Sequence, residues 1–299
     1  YNHTMTGNTV GGLPIGYFKN QEELQIDASD YGQIFLLYCE NSTIQGHEMA
    51  QVSIPLYLAS CYNVTVANYS LTDVYDGLRS CNSTPCHIEN FTVMESRRAG
   101  VYLTQSHNTS MSYLNSSFSE YYGLYLYQSE DCVLLNSEVW NCSQSSVHVQ
   151  SSDDFQIEGL SIINCSVRGL YLYWSDGVAI NDTLVIDCNF GLDVYRSNNC
   201  NVTNSGFFNN SLGARVQSGT NNLFYLNEFG GNSDNNAQDD AAGNFWDDDV
   251  MYGNYWSDYY GGGIYEVPGA GGAIDGFPNS LPGYTIIISN PDNQTFNEG

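Results

Sequence analysis

Residues 101–123 read VYLTQSHNTSMSYLNSSFSEYYG, residues 124–146 read LYLYQSEDCVLLNSEVWNCSQSS, and residues 147–169 read VHVQSSDDFQIEGLSIINCSVRG. Laid over one another, the three stretches form a repeat. It continues as LYLYWSDGVAINDTLVIDCNFG (170–191) and LDVYRSNNCNVTNSGFFNNSLG (192–213), with looser copies over 33–55, 56–77, 78–100 and 214–235. About nine units of 22–23 residues cover roughly two thirds of the chain. In each unit an alternating run comes first, such as Leu124 and Leu126 against Tyr125 and Tyr127. A Ser-Asx turn (129–131) and two further short runs (132–135 and 139–142) follow, closed by a Gly or Ser turn. Period-two runs between Asn, Ser and Gly turns predict strands. A unit this short cannot bury its own apolar face, but a stack of such units can. Three strands per coil predict an all-β fold, a right-handed parallel β-helix. Leucine-rich repeats share the period but not the L-x-x-L-x-L-x-x-N pattern, and no segment shows a helical period.

Composition agrees. The 299 residues include 29 Gly and 24 Tyr, with only 13% charged residues and a net charge of −26. Polarity comes from Asn, Ser, Thr, Gly and Tyr, which favour strands and tight turns over helices. Seven Lys and Arg are too few to neutralise a phosphate backbone, which argues against nucleic acid as partner. No apolar run approaches the roughly 18 residues of a transmembrane helix. The chain opens at Tyr1 with neither Met nor a signal-peptide pattern, and reads as a processed chain or a piece of a longer one. Residues 1–32 read as an N-terminal cap, 33–235 as the coils, and 236–283 as a Trp/Gly/Asp-rich C-terminal cap carrying the duplicate GNFWDD (243–248) and GNYWSD (253–258). Residues 284–299 read as a linker strand toward a further domain.

Several constellations stand out. The outward positions of the first run hold Tyr102, Tyr125, Tyr127, His148, Tyr171, Tyr173 and Tyr195, with Trp174 and Arg196 alongside. Stacking makes them an aromatic stripe, suited to a protein contact, to sugar rings, or to nothing beyond strand propensity. Asp153 and Asp176 stack in successive turns, and Asp247, Asp248 and Asp258 cluster near the cap. Both groups suit calcium or a carboxylate pair, or simply turns. No cofactor is required, and Ca2+ is the ion these acids would take. Cys142, Cys165 and Cys188 share one repeat position and read as a ladder of small buried thiols. Cys81 and Cys86, flanking Pro85, are the disulfide candidates. Asn-x-Ser/Thr occurs fourteen times. Asn63, Asn68, Asn90, Asn108, Asn141, Asn164, Asn181 and Asn201 are the glycosylation candidates. Scattered His and Met, with no His-x-His, argue against copper. No residue is assigned a catalytic role, and a charge of −26 would repel an acidic polysaccharide.

The segment HTMTGNTVGGLPIGYFKNQ (3–21), the Tyr-Leu-Tyr-x-Ser coils and GNYWSDYYGG (253–262) resemble the archaeal NosD-like right-handed β-helix proteins, also described as carbohydrate-binding/sugar-hydrolase repeat proteins. The likeness spans nearly the whole chain. The family's acidic Asp-Gly-Asp-Gly stretch is replaced by GGAIDGFPNSLPGY (271–284), which weakens calcium. The resemblance implies an extracellular cell-surface protein and fixes no activity. The reading that follows is a glycosylated structural rod, packing against copies of itself or other envelope proteins in a layer or filament. The alternative is a glycan-binding module using the Tyr/Trp stripe on surface glycans. A polysaccharide lyase or hydrolase comes third.

Overall fold

The computed structural model describes residues 7–280. The linker-strand expectation for 284–299 lies outside these residues. The chain coils as a right-handed parallel β-helix, its coil strands pairing in parallel with those one coil further on, and short antiparallel pairs, Thr9–Val10 with Leu13–Lys19 and Tyr265–Glu266 with Ile274–Asp275, lie near its two ends. One inward column of the first sheet is Phe18, Leu36, Leu58, Ser80, Leu103, Leu126, Val149, Leu172, Val194, Val216 and Asp239. It counts eleven rungs, two more than the nine units read from sequence. The extra rungs lie in the segments read as caps. Ladder pairing needs only backbone groups, so a coil can persist after its side-chain pattern has drifted. A second sheet runs from Gln25–Asp27 to Leu223–Tyr225, and a third from Glu48–Ala50 to Asn279–Ser280.

The three sheets enclose one continuous apolar core from Ile26 to Ala273. Alternation explains it: along 124–127, Leu124 and Leu126 are fully buried while the two tyrosines face out. Corners are turned by single residues in the left-handed region. Among the described residues, thirty-three non-glycine residues have positive φ, and twenty of these are Asn or Asp. Their short side chains make that region affordable to an L-residue. The strands Tyr62–Cys81 and Cys86–Thr104 pass through such corners, their mutual pairing resuming after a register shift between Val74 and Asp76. The glycine closing a unit has a different cause. A Cβ on Gly123 would collide with Val139 and with the carbonyl of Ser146 in the next coil.

A corner also turns backbone N–H groups into the dry interior, where each needs an acceptor. Side chains of the next coil supply it. The amides of Ser106, Ser129, Ser152 and Ser175 donate to the hydroxyls of Ser129, Ser152, Ser175 and Ser197 at 3.0, 2.9, 3.0 and 2.9 Å. Toward the C-terminus asparagine takes over. Cys200 donates to Asn222, Asn222 to Asn244, and Asn227 to Asn254. Asn244 and Asn254 are the asparagines of the two GNxW copies; the Asn254 amide in turn donates to Asp275 at 2.7 Å, so the duplicate supplies the closing steps of two corner ladders. Its indoles close the core. Trp246 stacks on Phe224 at 4.2 Å and Trp256 on Phe229 at 4.7 Å. Each N–H donates to a buried carboxylate, Asp239 at 3.0 Å and Asp275 at 2.9 Å. Burial pushes both carboxyl groups above their ordinary pKa.

The cysteines require a correction. All nine are free. Cys86 points into the core, while Cys81 sits on the outward column that runs from Ala59 to Thr104. Residues close in sequence on opposite sides of a corner face different ways, which keeps the two sulfurs apart.

Ser152→Ala leaves the buried Ser129 amide without an acceptor. It should lower stability by about 1–3 kcal/mol, read as a reduced urea midpoint with an unchanged slope. An equivalent loss from the outward-facing, half-buried Ser112→Ala would contradict the ladder's role.

Candidate functional site

Register places the aromatic residues on the outer face of the first sheet in two columns. Tyr102, Tyr125, His148 and Tyr171 occupy one, and Tyr127, Tyr173 and Tyr195 the other. Rings in the first column stand 4.8, 5.0 and 4.8 Å apart. Tyr173 and Tyr195 stack at 5.6 Å. Tyr122, unassigned in the sequence reading, joins them 4.9 Å from Tyr125 and 5.2 Å from His148. The stripe is half-buried rather than fully exposed, because adjacent rings cover one another. Trp174, turned outward at a left-handed corner, is the exception at 51% exposed.

His148 departs most from expectation. It is only 9% exposed, and neither ring nitrogen has a hydrogen-bond partner. Burial, helped by the Arg168 charge, lowers its pKa to about 4. It is therefore a neutral imidazole among tyrosines.

Cations complete the site. Arg98 lies 4.0 Å from the Tyr102 ring and grips the buried Asp76 through Nε (2.7 Å) and Nη2. Arg168 lies 4.3 Å from Tyr171 and donates to the buried Asp193 at 2.7 Å. Arg215 stacks on Phe190 at 4.0 Å and reaches Asp193 at 2.9 and 3.1 Å. Burial opposes ionisation of Asp193, yet Arg215, Arg168 and Gln217 together hold its pKa below the ordinary value. Arg79 sits between Tyr57 and Tyr102, 6.0 and 5.5 Å from their rings. Arg196 lies 5.0 Å from Trp174, where a cleft of about 490 Å³ opens beside Asp153 and Asp176. Sequence reading set only Arg196 beside the stripe. For Arg79, Asp193 and Arg215 the missed signal was spacing: positions 79, 102, 125, 148, 171, 193 and 215 are steps of 23 or 22, whereas Arg98 and Arg168 lie outside that column.

The acids proposed for calcium are occupied by protein donors. Asp153 accepts from the Asp176 amide, and Asp176 from the Asn198 amide, each at 2.8 Å. Asp247 accepts from Asp249 and Gly276, Asp248 from Val250, Met251 and Tyr252, and Asp258 from Asn236 and Tyr265. No group of three or more His, Cys, Asp or Glu suited to a metal occurs among the described residues. Of the sequon asparagines, Asn63, Asn68, Asn90, Asn108, Asn141 and Asn164 are left-handed corner residues, whereas Asn181 and Asn201 are not. Asn63, Asn90 and Asn164 donate Nδ2 to Asn41, Asn68 and Asn141 one coil back. Much of the sequon excess thus reflects corner geometry.

The fold and this face define a β-helix with an aromatic, cation-bearing first sheet. The family model described as periplasmic copper-binding protein (NosD) matches residues 2–159 and 113–261, and the chain belongs to that family. No curated protein matches. Among solved structures, the periplasmic alginate epimerase AlgG is similar with a TM-score of 0.53 and 11% identity, over 77% of this chain and 74% of that one. The AlgE6 A-module, a mannuronan C-5 epimerase from Azotobacter vinelandii, gives 0.53 and 12%, over 91% and 92%. At these identities the likeness shows the fold. No helix among the described residues is long and apolar enough to cross a membrane.

The family description names copper, and the His and Cys donors among the described residues do not fit it. His47, His87, His107 and His148 lie on separate rungs or corners. Burial pushes the thiols of Cys86, Cys132, Cys142 and Cys200 up to about 12, away from the thiolate that binds metal. The hydrogen bond with Cys188 lowers the Cys165 thiol, and Cys188 is driven the opposite way.

The imidazole makes a pH prediction. Native His148 titrates near 4 against 6.5 when unperturbed. Its contribution to stability is therefore intact above pH 6.5 and is lost progressively as pH falls toward 4, by about 3 kcal/mol. His148→Phe should unfold at a similar urea concentration at pH 7.5 and be less sensitive than wild type at pH 4.5. Equal sensitivity in the two proteins would refute the assignment.

Proposed function

We propose that the chain is a saccharide-binding rod of the cell envelope, acting outside the membrane, with the first sheet as its binding face. The observation that carries this reading is the segregation of side chains. Tyr102, Tyr125, Tyr171, Tyr173, Tyr195 and Trp174 share one face of the rod. Ring faces offer flat apolar surface to the C–H face of a sugar, and phenol hydroxyls supply hydrogen bonds at the rim. Parallel stacking repeats this surface at about 4.8 Å per coil, which suits an extended chain rather than a compact ligand. The face is held rigid by ladders on both sides, so little ordering accompanies binding.

A structural role is the second reading. The outer faces of the other two sheets carry Glu89 and Glu158, and Glu48, Glu138 and Glu228, but no cation. A second copy could set such a face against the Arg residues of the first sheet. Sedimentation at rising concentration reads this: growth in mass supports it, and a persistent monomer removes it.

The saccharide reading is tested on a glycan array with wild type, Tyr125→Ala/Tyr171→Ala, and Tyr225→Ala on the second sheet as control. Wild type and control should be retained, and the double variant at least tenfold less. A wild type that binds no glycan would sink the reading.

A further inference from the structure

We propose that the first-sheet face takes a carboxylated polysaccharide, seated with acidic groups over two arginine stations three coils apart. The inference rests on the saccharide reading and adds the charge of the ligand.

Charge distribution is the first ground. The chain carries −26 overall with seven Lys and Arg. Six of those cations, Lys19, Arg79, Arg98, Arg168, Arg196 and Arg215, lie on or beside the first sheet. Arg97, paired with Asp73, is the exception. Along the rungs between Arg79 and Arg215 the outward carboxylates are Asp76 and Asp193, both fully buried beneath arginines, while Asp153 and Asp176 lie at the corner beside Arg196 and exposed Asp240 follows the last rung. The face is thus cationic on an acidic rod, and the net charge that argued against an acidic polysaccharide does not describe this surface. Local potential, rather than net charge, governs the approach of a charged ligand.

The second ground is the presentation of the arginines. Buried Asp76 holds Arg98, and buried Asp193 holds Arg168 and Arg215, with each guanidinium against an aromatic ring. Their side chains remain 22, 27 and 20% exposed. The carboxylates engage Nε and Nη2 of Arg98 and Arg215, and Nε of Arg168. A guanidinium has five N–H donors, so each arginine keeps donors for a second anion. Pre-set guanidinium groups lose little rotamer freedom when they bind a carboxylate, and they favour paired hydrogen bonds to it.

The third ground is spacing. Arg98 precedes the rung at 101–104, and Arg168 begins the rung at 170–173, three coils on. At about 4.8 Å per coil the stations are about 14 Å apart. Between them lie Tyr125 and the neutral His148, an uncharged aromatic floor. Two anion stations joined by a stacking floor match a polymer bearing periodic carboxylates on flat rings. Too few cations follow one another to track the closer phosphates of a nucleic acid.

Calorimetry on the full chain at low and high salt tests this with oligouronates and with neutral glucans of equal length. Oligouronates should bind at least tenfold more tightly at low salt, and the advantage should shrink at high salt. Arg168→Gln should reduce oligouronate affinity about tenfold and any neutral-glucan affinity by much less. It leaves Asp193 with Arg215 and Gln217. Arg79→Gln, which strands no buried carboxylate, should give a smaller loss in the same direction. Neutral glucans binding as well as uronates would overturn the inference and leave the saccharide reading standing. Uronate binding unaffected by either substitution would overturn the placement. No binding of either sugar would end both.

Discussion

Everything in this molecule depends on the buried amide at each corner. A parallel sheet satisfies its own backbone groups, but a chain that turns inside a dry core leaves N–H groups facing inward. Each is answered by an oxygen one coil further on, from serine in the middle of the rod and asparagine toward its end. A lost acceptor would strand a donor away from water. The composition follows from this rule together with the left-handed corners. Asn, Asp and Ser are abundant because coils consume them at fixed positions. The polarity of a Lys-poor chain is then a by-product of its turns.

The repeat was legible because alternation and corner chemistry coincide in every copy between 101 and 213. It faded outside that window, although the ladders did not. The column that begins at Phe18 and ends at Asp239 contains residues no shared pattern would group. Backbone pairing tolerates such drift as long as the corners are served. The sequon asparagines show the reverse case. A motif associated with modification arises here at corners that need a left-handed residue, with a short polar residue often two places on.

The candidate face was half legible. Its tyrosines stood out because they recur in strand positions, yet their mutual shielding could not be seen in one dimension. His148 reads as one more outward residue and is in fact enclosed by three rings. The arginines look random along the chain and become a system only when the coil register is applied. Asp76 meets Arg98, and Asp193 meets both Arg168 and Arg215, 22 to 25 residues away. The Cys81 and Cys86 pair failed for the same reason in reverse. Nearness in sequence means little when a corner turns neighbouring side chains to opposite sides of a wall.

The two GNxW segments give the rod a fixed end. Asn244 is the last acceptor of one ladder, Asn254 passes the other on to Asp275, and the indoles of the two segments roof the core over buried Asp239 and Asp275. A rod closed in this way can change length only by whole coils. An internal duplication of 22–23 residues would insert one complete rung and leave both terminations intact. The distance between Arg98 and Arg168 is therefore quantised in units of one coil. Evolution could retune the interval between the stations by gaining or losing a single repeat, much as a vernier moves by one division, without redesigning either station.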